Sequence, residues 1–392
     1  MAHPASDPRH EGGHHGEGRS AESHAATGHP QAEMHHTGGR DYRKVITALL
    51  AVIVLIAVVF VLYVLYDVLL PLVLAALLSL LFKPVVHALR NRGVPLALCI
   101  LVVLLCGAAI IGLMYAIISS GIQNMVAQAP HYQQSLNRIY QSGMDFVEST
   151  MRRFGGSGAK SQLSDSFQLS SITKFLATGA GSVLTLAMNL VLTVLFLIFL
   201  LLGSEDFASK ISRAFSTENS ARVSEVLYQV NREVRQYLMT KTLINLIVGA
   251  ITVVVLLLFN VDFAFFIGVL TFFMNYIPNF GALLATLFPA VVSLLQYESL
   301  GLTLGLVAVL VVIHNIIGNF LEPKMMGSNL HLSPLAVLLS LIFWGWVWGV
   351  WGMVLAIPVI SMVKIVCENV KPLRPIAVLI SSVPAKKKVK KE

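Results

Sequence analysis

The chain is predicted to be all-α and polytopic, with about eight membrane segments. Three observations predict this. Of its 392 residues, 56% are hydrophobic and 12% charged, with a mean hydropathy of +0.76, whereas soluble domains carry about 25% charged residues. Several segments exceed the roughly 18 apolar residues that mark a membrane helix. Two apolar segments towards the C-terminus are each interrupted by Gly and Pro, and broken backbone at membrane depth survives only against protein or a water-filled cavity.

The same composition removes several function classes. The net charge of +8 does not point to nucleic acid, because five Lys lie in the last seven residues, and basic flanks of membrane proteins set topology. Cys99, Cys106 and Cys367 make no CxxC pair and read as packing residues. No GxxxxGK[ST], HExxH or GxSxG motif is present, so no enzyme activity, cofactor or metal is expected, and transport would be secondary or passive. Residues 1–40 lack an apolar core, so no cleavable signal peptide is expected.

Residues 1–40 form a Gly- and His-rich stretch predicted to be a disordered cytoplasmic tail. Eight of the twelve His lie there, including His14-His15 and His35-His36, but without a recurring ligand spacing they read as a solvated extension. Residues 41–118 hold three spans: 45–66, a short 68–82 run with Pro71 near its start, and 95–118. Arg40, Arg43 and Lys44 precede the first span, and Lys83, Arg90 and Arg92 follow the second. Both basic clusters are placed in the cytoplasm.

Residues 119–171 are polar enough to leave the bilayer on the outer side. Met125, Tyr132, Leu136, Ile139, Tyr140, Met144, Val147 and Met151 recur at helical spacing, predicting an amphipathic helix that the GGSG at 155–158 ends. A fourth span (175–202, within 172–202) returns inward. Residues 203–240 predict a cytoplasmic amphipathic helix, lying along the membrane or docked on the bundle. A fifth span follows at 243–259.

The remainder, 241–370, is the expected transport core, followed by a basic cytoplasmic tail at 371–392. Within the core, 263–297 is broken by Asn275-Tyr276-Ile277-Pro278-Asn279-Phe280-Gly281, and 334–366 by the Gly345/Gly349/Gly352 region. A plainer span, 302–317, separates them. The second halves look alike: Gly281 to Ala285 with Pro289 matches Gly352 to Ala356 with Pro358. Such paired interruptions are the best sequence pointer to a transporter binding site. If each returns to the side it entered from, both termini are cytoplasmic, in agreement with the Lys-rich tail.

The polar residues of this core each carry two readings. Asn275 and Asn279 bracket Pro278 and either hold a substrate or cap freed backbone. Asn315 and Asn319 share a helical face and either glue helices or line a polar path. His314 is a proton-coupling candidate or a satisfied bundle residue. Glu322 and Lys324 either gate a cytoplasmic vestibule and relay protons or form a locally paired, topology-setting turn. Trp344, Trp346, Trp348 and Trp351 form an interfacial belt or an aromatic lining; in a plain helix 344, 348 and 351 share one face.

The run at 318–358, GNFLEPKMMGSNLHLSPLAVLLSLIFWGWVWGVWGMVLAIP, resembles the autoinducer-2 exporter (AI-2E) family of bacterial permeases. YIPNFGALLATLFPAVVSLL at 276–295 is similar to that family's other signature, and the N-terminal order of spans around KPVVHALRNRG also matches. The resemblance covers about 45–370. It implies an inner-membrane permease that forms homo-oligomers. The family is named for export of a furanone signalling molecule, and some relatives look like cation/proton antiporters.

The expected function is secondary export of a small polar solute along a path between the interrupted segments, with no nucleic-acid partner. Its residues would be Asn275, Pro278, Asn279, Gly281, Pro289, Asn315, Asn319, Trp344, Trp348, Gly349, Gly352 and Pro358, with His314, Glu322 and Lys324 as coupling candidates. Sodium or lithium/proton antiport is the alternative. A non-transporting scaffold or sensor built on the 119–171 and 203–240 helices is the third reading.

Overall fold

The computed structural model describes residues 38–153, 183–203, 217–278, 280–326 and 332–382. The His-rich tail before 38, the GGSG break, the start of the fourth span before 183, Asn279 and the Lys-rich tail lie outside them. Among the described residues there is no strand, only an isolated bridge between Leu332 and Ser381. The helices are α1 (Gly38–Val64), α2 (Tyr66–Arg90), α3 (Leu96–Arg153), α4 (Val183–Leu202), α5 (Thr217–Leu258), α6 (Ala264–Met274), α7 (Phe280–Tyr297), α8 (Leu300–Ile316), α9 (Glu322–Met326), α10 (Pro334–Asn369) and α11 (Arg374–Ile380). Among the described residues seven helices are long and apolar enough to cross a membrane, with stretches of α4 and α6 as shorter apolar helices. The protein is an all-α, polytopic membrane protein.

Residues 1–56 form one unit and 57–392 another. In the first, the described apolar side chains of α1, such as Leu49, Ile53 and Ile56, are exposed. The second holds the bundle. One core joins α5, α6, α7 and α8 through Leu256, Ile267, Val292 and Leu306. A second joins α2, α5 and α10 through Leu77, Val234 and Leu355. A third joins α2, α3 and α4 through Ala75, Cys99 and Leu197.

The helices are longer than hydropathy suggests. The second span does not stop at Phe82: α2 runs through Lys83 and Pro84 to Arg90. The third span and the polar helix after it are one 58-residue helix, α3, passing through Pro130. The 217–240 stretch is likewise collinear with the fifth span in the 42-residue α5. It docks on α2 and α10 rather than forming a separate helix along a membrane surface, and buries Val234 completely. The cause is common to all three: leaving lipid for water changes which side chains a helix carries, not its backbone bonding.

Both interrupted segments are helical hairpins. α6 has 11 residues, about 16 Å of helix, and cannot cross a hydrocarbon core of about 30 Å. α7 then returns to the level at which α6 began: Gln296 Nε2 donates to the Asn260 carbonyl at 2.9 Å and the Asp262 N–H donates to Gln296 Oε1 at 2.9 Å. Tyr297 donates its hydroxyl to the Phe259 carbonyl at 2.9 Å and to that of Asn260 at 2.6 Å. α10 reverses at Gly349, whose φ of 62° and ψ of −142° suit only Gly. Its arms then lie side by side, with Ser340 Oγ donating to the Ala356 carbonyl at 2.9 Å.

The two hairpins close in the same way. A Cβ on Gly281 would overlap the Met274 carbonyl, and one on Gly352 would overlap that of Trp344. Four residues later, Ala285 and Ala356 are both buried. The likeness read in the sequence thus corresponds to equivalent positions in two crossings where the arms touch through backbone.

Ties between distant segments order the ends of the bundle. Tyr132 donates to Asp262 Oδ2 at 2.9 Å, and Arg138 pairs with Glu298 at 2.8 Å. The C-terminal part of α3 therefore lies at the base of the first hairpin. At the other end, Asn369 Nδ2 donates to Gln229 Oε1 at 3.5 Å, joining the N-terminal half of α5 to the end of α10.

Candidate functional site: a polar cavity at the tip of the first hairpin

α5 carries Lys241 and Asn245 one turn apart, on the face that meets the first hairpin and the end of α8. Lys241 is 4% exposed and Asn245 fully buried. Neither is stable there alone, because a buried charge or amide must be paired. Lys241 Nζ meets Glu322 Oε1 at 2.6 Å. Asn245 Oδ1 accepts from Asn275 Nδ2 at 2.8 Å, while its own Nδ2 has no partner among the described residues. Next to these, the hydroxyls of Thr242 and Tyr276 are 2.7 Å apart.

α8 brings the rest. After Ile316 the helix widens into a π-helical turn, Ile317–Leu321, in which the Glu322 N–H reaches back to the Ile317 carbonyl. Pro323 supplies no N–H to the carbonyl one turn back, and such widened turns recur at functional sites. Glu322-Pro323-Lys324 is therefore helix α9, not a turn. Nor is Glu322 paired locally: its cation comes from α5, and Lys324 is exposed. A residue 81 positions upstream makes the pair that neighbouring residues were expected to make.

His314 Nδ1 lies 3.2 Å from Thr286 Oγ1, which donates its single proton to the Ala282 carbonyl at 2.9 Å. The contact joins α7 to α8, and its direction depends on the ring tautomer. His314 Nε2 is buried without a partner among the described residues. Asn319 Nδ2 donates to Asn315 Oδ1 at 3.1 Å, continuing the polar row one turn on.

Beside these groups lies a cavity of about 400 Å³, lined by Lys241, Asn275, Pro278, His314, Asn315, Asn319 and Glu322, with Ile357 contributed by the second hairpin. Asn315 and Asn319 are exposed and form its rim. The lining offers amide donors and acceptors, an imidazole ring and an internally neutralised ion pair. It can bind a small polar molecule by hydrogen bonds, and it can release or take up charge when the pair opens.

Six of the residues singled out by sequence meet here: Asn275, Pro278, His314, Asn315, Asn319 and Glu322. Gly281, Gly349 and Gly352 shape the hairpins. Pro289 is buried within α7. Pro358 lines a separate apolar cavity. Trp344 and Trp348 pack with ring centroids 4.8 Å apart and planes tilted by 51°, and Trp348 Nε1 donates to the Leu62 carbonyl at 3.0 Å, so this pair packs α10 on the bundle. Trp346 is exposed and stacks on Tyr63. The reversal at Gly349 also removes the plain-helix face expected for Trp351. Sequence reasoning missed Lys241 and Asn245; the available signal was polar residues at i and i+4 where an apolar run begins.

The AI-2E family transporter profile matches residues 51–371. Over 320 residues the chain is 30% identical to the AI-2 transport protein TqsA of Escherichia coli K12, covering 80% of this chain and 90% of TqsA. It is 30% identical to YhhT of the same strain, covering 80% and 88% of the two chains. A protein of Borreliella burgdorferi is also 30% identical, with 79% and 83% covered.

Proposed function

Since the chain belongs to the AI-2E family of transporters, we propose that it is a secondary permease that exports a small polar solute through the cavity between α5, the first hairpin and the π turn of α8. One observation carries this reading. Among the described residues, a broken helix, one amide of the Asn245–Asn275 pair, the Lys241–Glu322 ion pair and His314 converge on a cavity of about 400 Å³, within the roughly 300–1,000 Å³ of small-molecule sites. Amides and a neutralised pair suit an uncharged polyhydroxylated solute. The name of TqsA makes autoinducer-2 the first cargo to try.

In this reading both termini are cytoplasmic and the base of the first hairpin faces outward. The contacts of Tyr132 with Asp262 and of Gln229 with Asn369 support that sidedness, since each joins segments that it assigns to one side. Ion-coupled antiport is a second reading, favoured by the Lys241–Glu322 pair beside His314: a cation competing for Glu322 would displace the ammonium.

Purified protein in proteoliposomes tests both. Autoinducer-2 efflux that is lost in Lys241→Met supports the permease. Sodium-driven proton movement without solute efflux supports antiport. Neither signal, in vesicles shown to hold oriented protein, would count against both cargoes.

A further inference from the structure

Where α3 passes the base of the first hairpin lies another cavity, of about 370 Å³. α3 lines it with Ser120, Asn124 and Gln128, four residues apart and therefore on one helical face. The turn after α5 and the start of α6 close it with Asp262, Phe265 and Phe266. A Cβ on Gly121 would lie 2.6 Å from that of Phe266, so the two helices touch through this glycine and the cavity opens beside the contact. Ser120, Asn124 and Phe265 are exposed, and Gln128 and Asp262 are half-buried. The polar side chains therefore present accessible surface to whatever enters.

Charge and proton counting define what the cavity can take. Among the described residues Asp262 is the one charged residue of its lining, so the cavity carries a negative charge and repels anions. The partner that Asp262 does have is neutral. The Tyr132 hydroxyl lies 2.9 Å from Asp262 Oδ2 and 3.4 Å from Gln128 Oε1. A phenol has one proton to donate, and it cannot satisfy both acceptors. Ser120 spends its own proton on the Ile117 carbonyl at 3.0 Å, which leaves its oxygen as an acceptor. The wall thus gathers a carboxylate, an amide oxygen and a hydroxyl oxygen that lack donors, next to two aromatic rings. An ammonium group supplies three donors and the missing positive charge, and an attached hydrocarbon suits the phenylalanines.

We propose that this cavity binds a small organic amine. Its ammonium would sit on the Asp262 carboxylate and Gln128 Oε1, with its hydrocarbon part against Phe265 and Phe266. Asp262 precedes α6 and Asn275 follows it, so the site lies at the other end of that helix from the polar cavity and does not depend on the transport reading.

The test uses the full chain in lipid nanodiscs, with 2-phenylethylamine as the probe and saturation-transfer NMR against empty nanodiscs as the readout. Saturable binding of the amine is expected. 2-Phenylethanol, which has the same hydrocarbon body and no charge, should bind at least about tenfold more weakly, the worth of a hydrogen bond to a charged group. Asp262→Asn keeps an oxygen for the Tyr132 hydroxyl and removes the charge, and it should weaken amine binding by a similar factor. Absence of saturable binding would overturn the proposal. So would equal binding of amine and alcohol, or undiminished amine binding by Asp262→Asn, since either would mean that only apolar partitioning is at work. Displacement of the amine by an equal concentration of sodium would overturn it as well, by assigning the carboxylate to an inorganic cation. Should Asp262→Asn fail to fold, the comparison of amine with alcohol on the wild-type chain still decides the question.

Discussion

Lys241 Nζ lies 2.6 Å from Glu322 Oε1, joining α5 to the first residue of α9 across 81 residues of sequence. The two side chains are 5% and 25% exposed, so the pair is held largely out of water. Removing one partner leaves an uncompensated charge, at a cost of about 3–5 kcal/mol when burial is complete. Lys241→Met should therefore lower the thermal midpoint in detergent strongly. Glu322→Gln should do so as well, and by more, because it strands the ammonium of Lys241, 5% exposed, whereas Lys241→Met strands the partly solvated carboxylate of Glu322. The double variant Lys241→Met/Glu322→Leu should recover most of the stability and still fail to transport. Stability and flux measured on one preparation separate the two roles.

The hairpin crossings predict a steric series. Gly281→Ala and Gly352→Ala each place a methyl group on a backbone carbonyl of the opposite arm, and overpacking of this kind costs about 1–3 kcal/mol. Both should lose transport while still inserting. Gly107→Ala, where a Cβ meets nothing within 4 Å, should be neutral or slightly stabilising. Wild-type flux in both hairpin variants would remove the hairpins from the path.

The amide pair should behave as a unit. Asn245→Ala leaves Asn275 Nδ2 without its 2.8 Å acceptor, at a cost of about 1–3 kcal/mol. Asn275→Ala should cost a similar amount. The double variant should cost less than the sum, with a coupling energy of about 0.5–3 kcal/mol, read from denaturation midpoints. Strict additivity would mean that the bond contributes nothing to the fold.

The tryptophans provide a control. Trp348→Phe removes the bond to the Leu62 carbonyl and should cost about 1 kcal/mol with flux close to wild type. A large loss of flux at unchanged stability would restore the reading of an aromatic lining.

Much of this was legible in the sequence. Apolar runs marked the spans, and the Gly and Pro interruptions marked both hairpins, because hydropathy and backbone breakers act locally. The end of α2, and the continuity of α3 and of α5 across polar and apolar stretches, were not legible, since a helix needs no change in backbone bonding to leave a membrane. The partner of Glu322 was also hidden: Lys241 falls between the amphipathic stretch and the fifth span, and only tertiary packing places it against α9. The tryptophan run was ambiguous for the same reason, since one Gly in an unusual conformation decides which side of the reversal each ring occupies.

The most direct measurement places a cysteine at the rim of the polar cavity, in a background with Cys99, Cys106 and Cys367 replaced. Asn319→Cys protein in proteoliposomes would be treated with a positively charged thiosulfonate, and solute flux recorded before and after. The account predicts that modification blocks flux and that the transported solute slows the modification, whereas Lys324→Cys, exposed outside the cavity lining, reacts without effect. Full flux after complete modification of Asn319→Cys would contradict a path through this cavity.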